Sequence, residues 1–234
     1  MLVTKEIQEY FDQANQIVFM TGAGVSTLSG IPDYRSKGGI YDGVSLQPEY
    51  LLSATAFKRE PEKQYQFMLD NMYFPDAKPN IVHEKMAILT QQKRAKIITQ
   101  NVDDLHVKAG GDPERLISFH GSLYDIYAPV DGEREPYQNY LESMYRQDGA
   151  ILRPNITFYE EMPFEIEKSA QWVQEADLIV VVGTSFQVYP FAGMLRYAHT
   201  QTPIIGVNLE EIKTSFAVEQ IIGDAGEFFS ELKI

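Results

Sequence analysis

The sequence predicts an α/β protein: a parallel sheet with helices on both faces, plus a smaller lobe built from inserts. Four apolar runs of strand length predict the sheet: QIVFMT (16–21), AKIIT (95–99), DLIVVV (177–182) and PIIGV (203–207). They are near-continuous rather than alternating, which is the pattern of strands covered on both faces. Each is followed by glycine or small polar residues and then by helical periodicity. Two stretches interrupt the rhythm, a Gly-rich loop running into helical sequence over 32–79 and a tyrosine- and turn-rich segment from 121. One domain is therefore expected over 1–234, with a large lobe of about 1–31, 80–120 and 164–234 and a small lobe of about 32–79 and 121–163.

Taken in order, Met1–Gln16 reads as an amphipathic helix with Ile7, Tyr10, Phe11 and Ala14 on one side. It lacks the basic start and apolar centre of a signal peptide. No apolar run approaches the roughly 20 residues that span a bilayer. No membrane partner is expected, and a cytoplasmic location follows by default. At 234 residues, 44% hydrophobic and 23% charged, the chain can bury a substantial core. Its size and charge permit a monomer without fixing the oligomeric state. The net charge of −13 leaves no basic footprint for phosphates, so nucleic acid is a poor partner. An acidic surface suits lysine-rich substrates, though plain solubility is the simpler reading. The absence of cysteine excludes disulfides, a thiol nucleophile and a thiolate metal site.

Open α/β sheets bind ligands beyond the carboxyl ends of their strands. Gly22-Ala23-Gly24 follows the first strand directly, where backbone N–H groups can approach a diphosphate. A dehydrogenase fingerprint would want glycine at 27, but Thr27 stands there, which weakens hydride transfer. The motif continues to Ser36 as GAGVSTLSGIPDYRS. The second strand ends in TQNVD (99–103) and runs on through DLHVKAG to Gly110. His120-Gly121 follows, then Gly183-Thr184-Ser185 with FQVYP, then Val207-Asn208-Leu209-Glu210. This ordered set, from residue 22 to 210, resembles the sirtuin family.

The resemblance implies a Rossmann-like large lobe, NAD as cofactor, and acyl-lysine proteins or peptides as substrates. The implied reaction is NAD-dependent protein-lysine deacetylation or deacylation: nicotinamide is released and the acyl group passes to ADP-ribose. A mono-ADP-ribosyltransferase shares the NAD cleavage, and an NAD- or ADP-ribose-binding sensor shares the pocket. His120 is the expected general base, since a neutral imidazole suits proton abstraction from a hydroxyl. Asn101 and Asp103, two apart on the segment leaving a strand, suit a carboxamide, which both donates and accepts. Asp103 could instead cap a helix starting near Leu105. The resemblance assigns Gly22, Ala23, Gly24, Asp33, Tyr34, Arg35, Gln100, Gly183, Thr184 and Ser185 to the cofactor. Asn208 and Glu210 would meet the adenosine ribose, and Asp224 and Ala225 the adenine end. Asn208 also reads as a turn residue, and Arg35 as a surface ion-pair residue. His83 and His106 read as structural, His199 as solvated, and Asp104, where the family often has glycine, receives no role.

The chain departs from the family in three places. Most sirtuins carry two Cys-x-x-Cys pairs after the catalytic histidine, yet 121–152 holds neither cysteine nor histidine, so no zinc ribbon and no zinc are expected. Tyr124, Tyr127, Tyr137, Tyr140 and Tyr145, with Leu123, Ile126, Leu141 and Met144, are expected to pack in the metal's place. Within RPNITFYEEMP (153–163), Tyr159 stands where the family has glycine, between Phe158 and Glu160, on backbone that in the family pairs with the substrate peptide. Its ring either narrows the acyl entrance or turns to solvent. Succinyl-selective sirtuins carry Tyr and Arg three apart, and the matching positions here are Met68 and Asn71. Neither offers a cation, so succinyl and malonyl groups are not expected. Met68 reads either as an acyl-channel wall or as core.

Overall fold

The computed structural model describes residues 1–34, 38–41 and 48–234. Among these, the strands in chain order are β1 (Ile17–Thr21), β2 (Ala95–Thr99), β3 (Leu116–Ser118), β4 (Gly121–Tyr127), β5 (Arg134–Glu135), β6 (Arg153–Ile156), β7 (Leu178–Val182), β8 (Ile204–Asn208) and β9 (Glu219–Ile222). The helices are α1 (Lys5–Gln13), α2 (Pro48–Leu51), α3 (Ala54–Arg59), α4 (Pro61–Asn71), α5 (Ile81–Gln91), α6 (Leu105–Lys108), α7 (Tyr137–Glu142), α8 (Ile166–Glu175) and α9 (Ala225–Glu231).

Six strands form a parallel sheet in the order β3-β2-β1-β7-β8-β9. Successive side chains on a strand point to opposite faces, and here both faces are apolar. Ile17, Phe19, Val180 and Val182 enter one core with Ile7 and Phe11 of α1, Val82 and Met86 of α5, and Phe228 and Phe229 of α9. Val18, Met20, Ile179 and Val181 enter the other, against Trp172 and Val173 of α8 and Phe191 and Leu195. Two-sided burial is why the runs read as continuous rather than alternating. Each such side chain contributes about 1.5–3 kcal/mol by leaving water.

The first helix is shorter than its pattern. Thr4 Oγ1 accepts from the Ile7 N–H at 3.2 Å and caps it, and Ala14 is already extended. The Leu2 and Val3 N–H groups donate to the Glu231 carboxylate at 2.6 and 2.9 Å, which ties the start of the chain to α9. Among the described residues no helix is long and apolar enough to cross a membrane.

The segments between the parallel strands build a second, antiparallel sheet, β5-β4-β6, with a register shift between Ser122 and Ile126. A third core covers it, including Leu52, Phe67, Met68, Leu123, Ile126, Tyr140, Met144, Ile156 and Phe158. Tyrosine rings meet there mostly edge to face: Tyr65–Tyr140 at 5.0 Å, Tyr73–Tyr124 at 5.8 Å and Tyr124–Tyr137 at 5.0 Å. Tyr65 and Tyr73 come from the earlier insert and were not foreseen. Three expected members lie outside this core: Leu141, Tyr145 and Tyr127. Tyr145 is exposed, its hydroxyl turned to Glu62 at 3.3 Å. Tyr127 lies beneath the guanidinium groups of Arg134 and Arg153.

Candidate active site

The carboxyl ends of β1, β2, β7 and β8 open into one cleft of about 510 Å³, whose far wall comes from residues 156–163 beside β6. Gly22, Ala23, Gly24, Asp33, Tyr34, Gln100, Asn101, His120, Gly183, Thr184, Ser185, Asn208, Glu210, Asp224 and Ala225 line it, together with Phe158, Tyr159 and Glu160. Residues spread over two hundred positions of sequence therefore share one cavity. Arg35 lies outside the described residues.

The glycines owe their places to backbone packing. A Cβ on Gly24 would sit 2.8 Å from the Gly183 Cα, and one on Gly22 would sit 2.6 Å from the Thr184 Cβ. The turn after β1 thus lies directly on the turn after β7, and the Gly24 N–H donates to the Gly183 carbonyl at 2.8 Å. Gln100 spans the floor, its Nε2 donating to Thr184 Oγ1 at 3.1 Å.

Asn101 and Asp103 do face one another, and Ser26 is what joins them. The Asn101 amide donates to Ser26 Oγ at 3.1 Å, and Ser26 Oγ donates to Asp103 Oδ2 at 2.6 Å. Sequence reasoning missed Ser26, although it lies inside the quoted glycine motif. Asn101 lines the cleft, whereas Asp103 lies behind it and is not part of the wall. Its other oxygen accepts from the Leu105 N–H at 2.8 Å, so the carboxylate caps the helix that starts at Leu105 and also reaches Asn101 through Ser26. Burial pushes the Asp103 pKa up, against the lowering pull of Ser26 and the Leu105 N–H. Asp104 has φ +59°, the left-handed region that glycine favours and Asp tolerates. Its carboxylate accepts from Ser122 Oγ at 2.7 Å, joining the strand-end segment to β4.

His120 is half-buried on the cleft wall. Burial pushes its pKa down to about 4, while a hydrogen bond to the Gln100 backbone opposes that shift. A ring N–H donated to the Gln100 carbonyl leaves the second nitrogen unprotonated at neutral pH and able to accept. The two histidines read as structural lie behind the cleft in edge contact, His83 to His106 at 4.8 Å. His106 Nε2 is 3.0 Å from Thr21 Oγ1, and His83 Nδ1 accepts from the Asn80 N–H at 3.3 Å. His199 is exposed.

Residues 22–190 match the Sir2 family. The chain belongs to the Sir2 family, the sirtuins. It is 48% identical over 229 residues to an NAD-dependent protein deacetylase of Listeria innocua serovar 6a, covering 97% of this chain and 99% of that protein. It is 45% identical to an NAD-dependent protein deacetylase of Lactiplantibacillus plantarum, covering 97% of each. Among solved structures, a Sir2 variant with a deacetylated p53 peptide and 3'-O-acetyl ADP ribose superimposes with TM-score 0.86 at 29% identity, over 97% of this chain and 95% of that one. A complex of Sir2 with p53 peptide and NAD+ gives TM-score 0.82 at 29% identity, over the same shares.

Two expectations about this sirtuin's substrate side need correction. Met68 is 1% exposed, fills the third core and is not on the cleft wall; Met72, at the end of α4, reaches it instead. Asn71 is also off the wall, its amide donating to the Phe67 carbonyl at 2.8 Å. At Tyr159 the backbone is already committed: its N–H donates to the Leu52 carbonyl at 2.9 Å and its carbonyl accepts from the Ala54 N–H at 3.0 Å. A peptide strand therefore has no N–H to pair with at that residue. The Tyr159 ring does not turn to solvent. It is half-buried against the third core and borders the cleft. Leu52, Val102, Ile156 and Tyr41 complete this apolar side and carried no sequence signal.

Proposed function

We propose that this Sir2-family protein is an NAD-dependent protein-lysine deacylase, most simply a deacetylase, with His120 as base, Asn101 as the carboxamide-recognition residue and Asp103 holding Asn101 in place through Ser26. The observation that carries the reading is one cleft that holds a neutral His120 at one end and the Asn101–Ser26–Asp103 chain beside it. The cleft chemistry fits NAD. Thr184 and Ser185 offer hydroxyls beside a glycine turn for phosphate and ribose. Glu210 and Asp224 at the far end suit a ribose diol. Bound NAD supplies an electrophilic ribose carbon, nicotinamide as the leaving group and ADP-ribose as the acyl acceptor.

The residues then divide the work. Asn101 donates to and accepts from the carboxamide, with Ser26 and Asp103 fixing its orientation. Gln100, tied to Thr184, meets ribose hydroxyls. Tyr34 shields the reactive end from water. His120, its ring turned by the Gln100 carbonyl, would take the proton from a ribose hydroxyl through its free nitrogen and so ready that hydroxyl as the nucleophile toward the acyl carbon. The partner is an acyl-lysine protein or peptide, lying between residues 157–161 and 185–189. The peptides in the related complexes support this. The division into a large NAD lobe and a small insert lobe belongs to the same reading, supported by the separate third core. We place the protein in the cytoplasm.

We further propose that the small sheet needs no zinc. The sequence contains no cysteine, and among the described residues no group of three His, Asp or Glu side chains could hold a metal. A zinc ribbon's stability, about 10–16 kcal/mol in isolated peptides, is offset here by the tyrosine core. Metal analysis of purified protein should find no stoichiometric zinc.

The test of the catalytic assignment compares the parent with His120→Ala, given NAD and a panel of acyl-lysine peptides. The parent should release nicotinamide only with acyl peptide, and the variant should lose roughly 10²–10⁴-fold in turnover, the usual worth of a positioned base. Full activity in the variant would overturn His120. Label from NAD carried covalently onto protein would favour ADP-ribosyl transfer.

A further inference from the structure

Resting on the deacylase reading, we propose that Arg153 and Glu161 form a latch that holds residues 157–161 in a peptide-receiving shape before substrate arrives. The guanidinium of Arg153, 7% exposed, meets the Glu161 carboxylate with both prongs: Nη1 to Oε1 at 2.8 Å and Nη2 to Oε2 at 2.9 Å. Such forked pairs fix geometry as well as charge. Nη2 also donates to the Ile156 carbonyl at 2.7 Å, and Nε donates to the Pro154 carbonyl at 3.3 Å. One side chain thus ties β6 to the residues that follow it.

The loop closes on itself through the same carboxylate. Glu161 Oε2 accepts from the Phe158 N–H at 2.9 Å, and the Glu161 N–H donates to the Phe158 carbonyl at 3.0 Å. The guanidinium lies 4.0 Å from the Phe158 ring centroid and 5.3 Å from that of Phe57, so aromatic faces replace water around the charge. The rest of the loop is pinned outward from this centre. The Thr157 N–H donates to the His120 backbone carbonyl at 2.9 Å, which anchors the start of the loop without touching the imidazole. Glu160 Oε2 accepts from the Thr55 N–H at 3.0 Å and from Thr55 Oγ1 at 2.7 Å, and Tyr159 pairs with Leu52 and Ala54.

These bonds gather on the cleft wall formed by 156–161, away from the adenosine end at Asn208 and Glu210. An interaction that shapes only the peptide side should act on peptide binding and spare NAD binding. Arg153 and Glu161 are therefore positioning residues for the acyl-lysine substrate. Arg153 is buried and Glu161 only half-buried, so the pair itself adds little net stability, but removing Glu161 leaves the buried guanidinium uncompensated.

The test uses Glu161→Gln and the double variant Arg153→Met/Glu161→Met, the second removing the pair without leaving a lone charge. Steady-state kinetics with acetyl-lysine peptide and NAD varied separately should show the peptide KM raised about ten-fold in both, with the NAD KM and kcat held within about two-fold. Amide hydrogen exchange across 157–161 should quicken in both variants while the main-sheet strands keep their protection. An unchanged peptide KM in an active enzyme, or a uniform loss on both substrates, would overturn the latch. Should the parent itself fail to turn over acyl peptide, the deacylase reading fails, and unchanged exchange across 157–161 would overturn the latch on its own.

Discussion

At the scale of single residues, Ser26 is the side chain that gives the site its geometry. It passes a hydrogen bond from the Asn101 amide to the Asp103 carboxylate in a place with little water. Ser26→Ala should leave Asp103 Oδ2 without that donor and cost about 1–3 kcal/mol. It should also lower kcat more than it lowers stability at working temperature, read by pairing kinetics with a melting curve. Gly24→Ala is the contrasting case, since the new methyl would press on backbone rather than on a side-chain tip. An overpacking cost of about 1–3 kcal/mol is expected there, with NAD affinity falling together with Tm. The sequence made Gly24, Asn101 and His120 legible because each sits at a strand end inside a local motif. Asp104 was readable only as an oddity. Its φ of +59° explains both the family's glycine and the tolerance for Asp.

At the scale of elements, the four central parallel strands were legible, whereas the short parallel edge strands β3 and β9 and the antiparallel strands were not. The four apolar runs fall on β1, β2, β7 and β8 to within a residue or so at each end, because two-sided burial writes itself into every position of a strand. β4 and β6 bury one face and pair across about thirty residues, with a register shift that breaks alternation. The tyrosine core was half legible for a related reason: Tyr65 and Tyr73 reach it from α4 and the turn beyond, a non-local contact without a local pattern. The Tyr73 hydroxyl donates to the Leu123 carbonyl at 2.9 Å, so Tyr73→Phe should cost about 1 kcal/mol. That loss is measurable by denaturant melts. Tyr159→Gly tests the entrance: the ring borders the acyl side of the cleft, so the variant should gain on long-acyl peptides relative to acetyl. Identical selectivity in the two proteins would remove the gating role.

At the scale of the whole molecule, two buried histidines and the half-buried His120 make stability depend on pH. His83 and His120 are pushed down to about 4 by burial, and His106 is pushed well below the usual imidazole range by burial and by its His83 neighbour. Unfolded histidine titrates near 6.5, so between about pH 6.5 and 4 the unfolded chain binds more protons than the folded one. Stability is then full above about 6.5 and falls as the solution is acidified through that window. Asp103 and Asp104, pushed up by burial, act in the opposite sense. The His contribution is isolated by difference: His120→Ala should lose less stability between pH 7 and 5 than the parent does, by roughly 1–2 kcal/mol. A neutral His120 is also what the proposed chemistry requires, since a base must be unprotonated at working pH.

The central claim joins two parts, NAD-dependent deacylation and a small sheet that stands without metal. One measurement addresses both: nicotinamide and deacylated peptide counted together in protein dialysed against a strong chelator, with and without acetyl-lysine peptide. Equal amounts of the two products are expected, released only when peptide is present and at an undiminished rate after chelation. Nicotinamide release that ignores the peptide, or activity lost on chelation and restored by zinc, would contradict that claim.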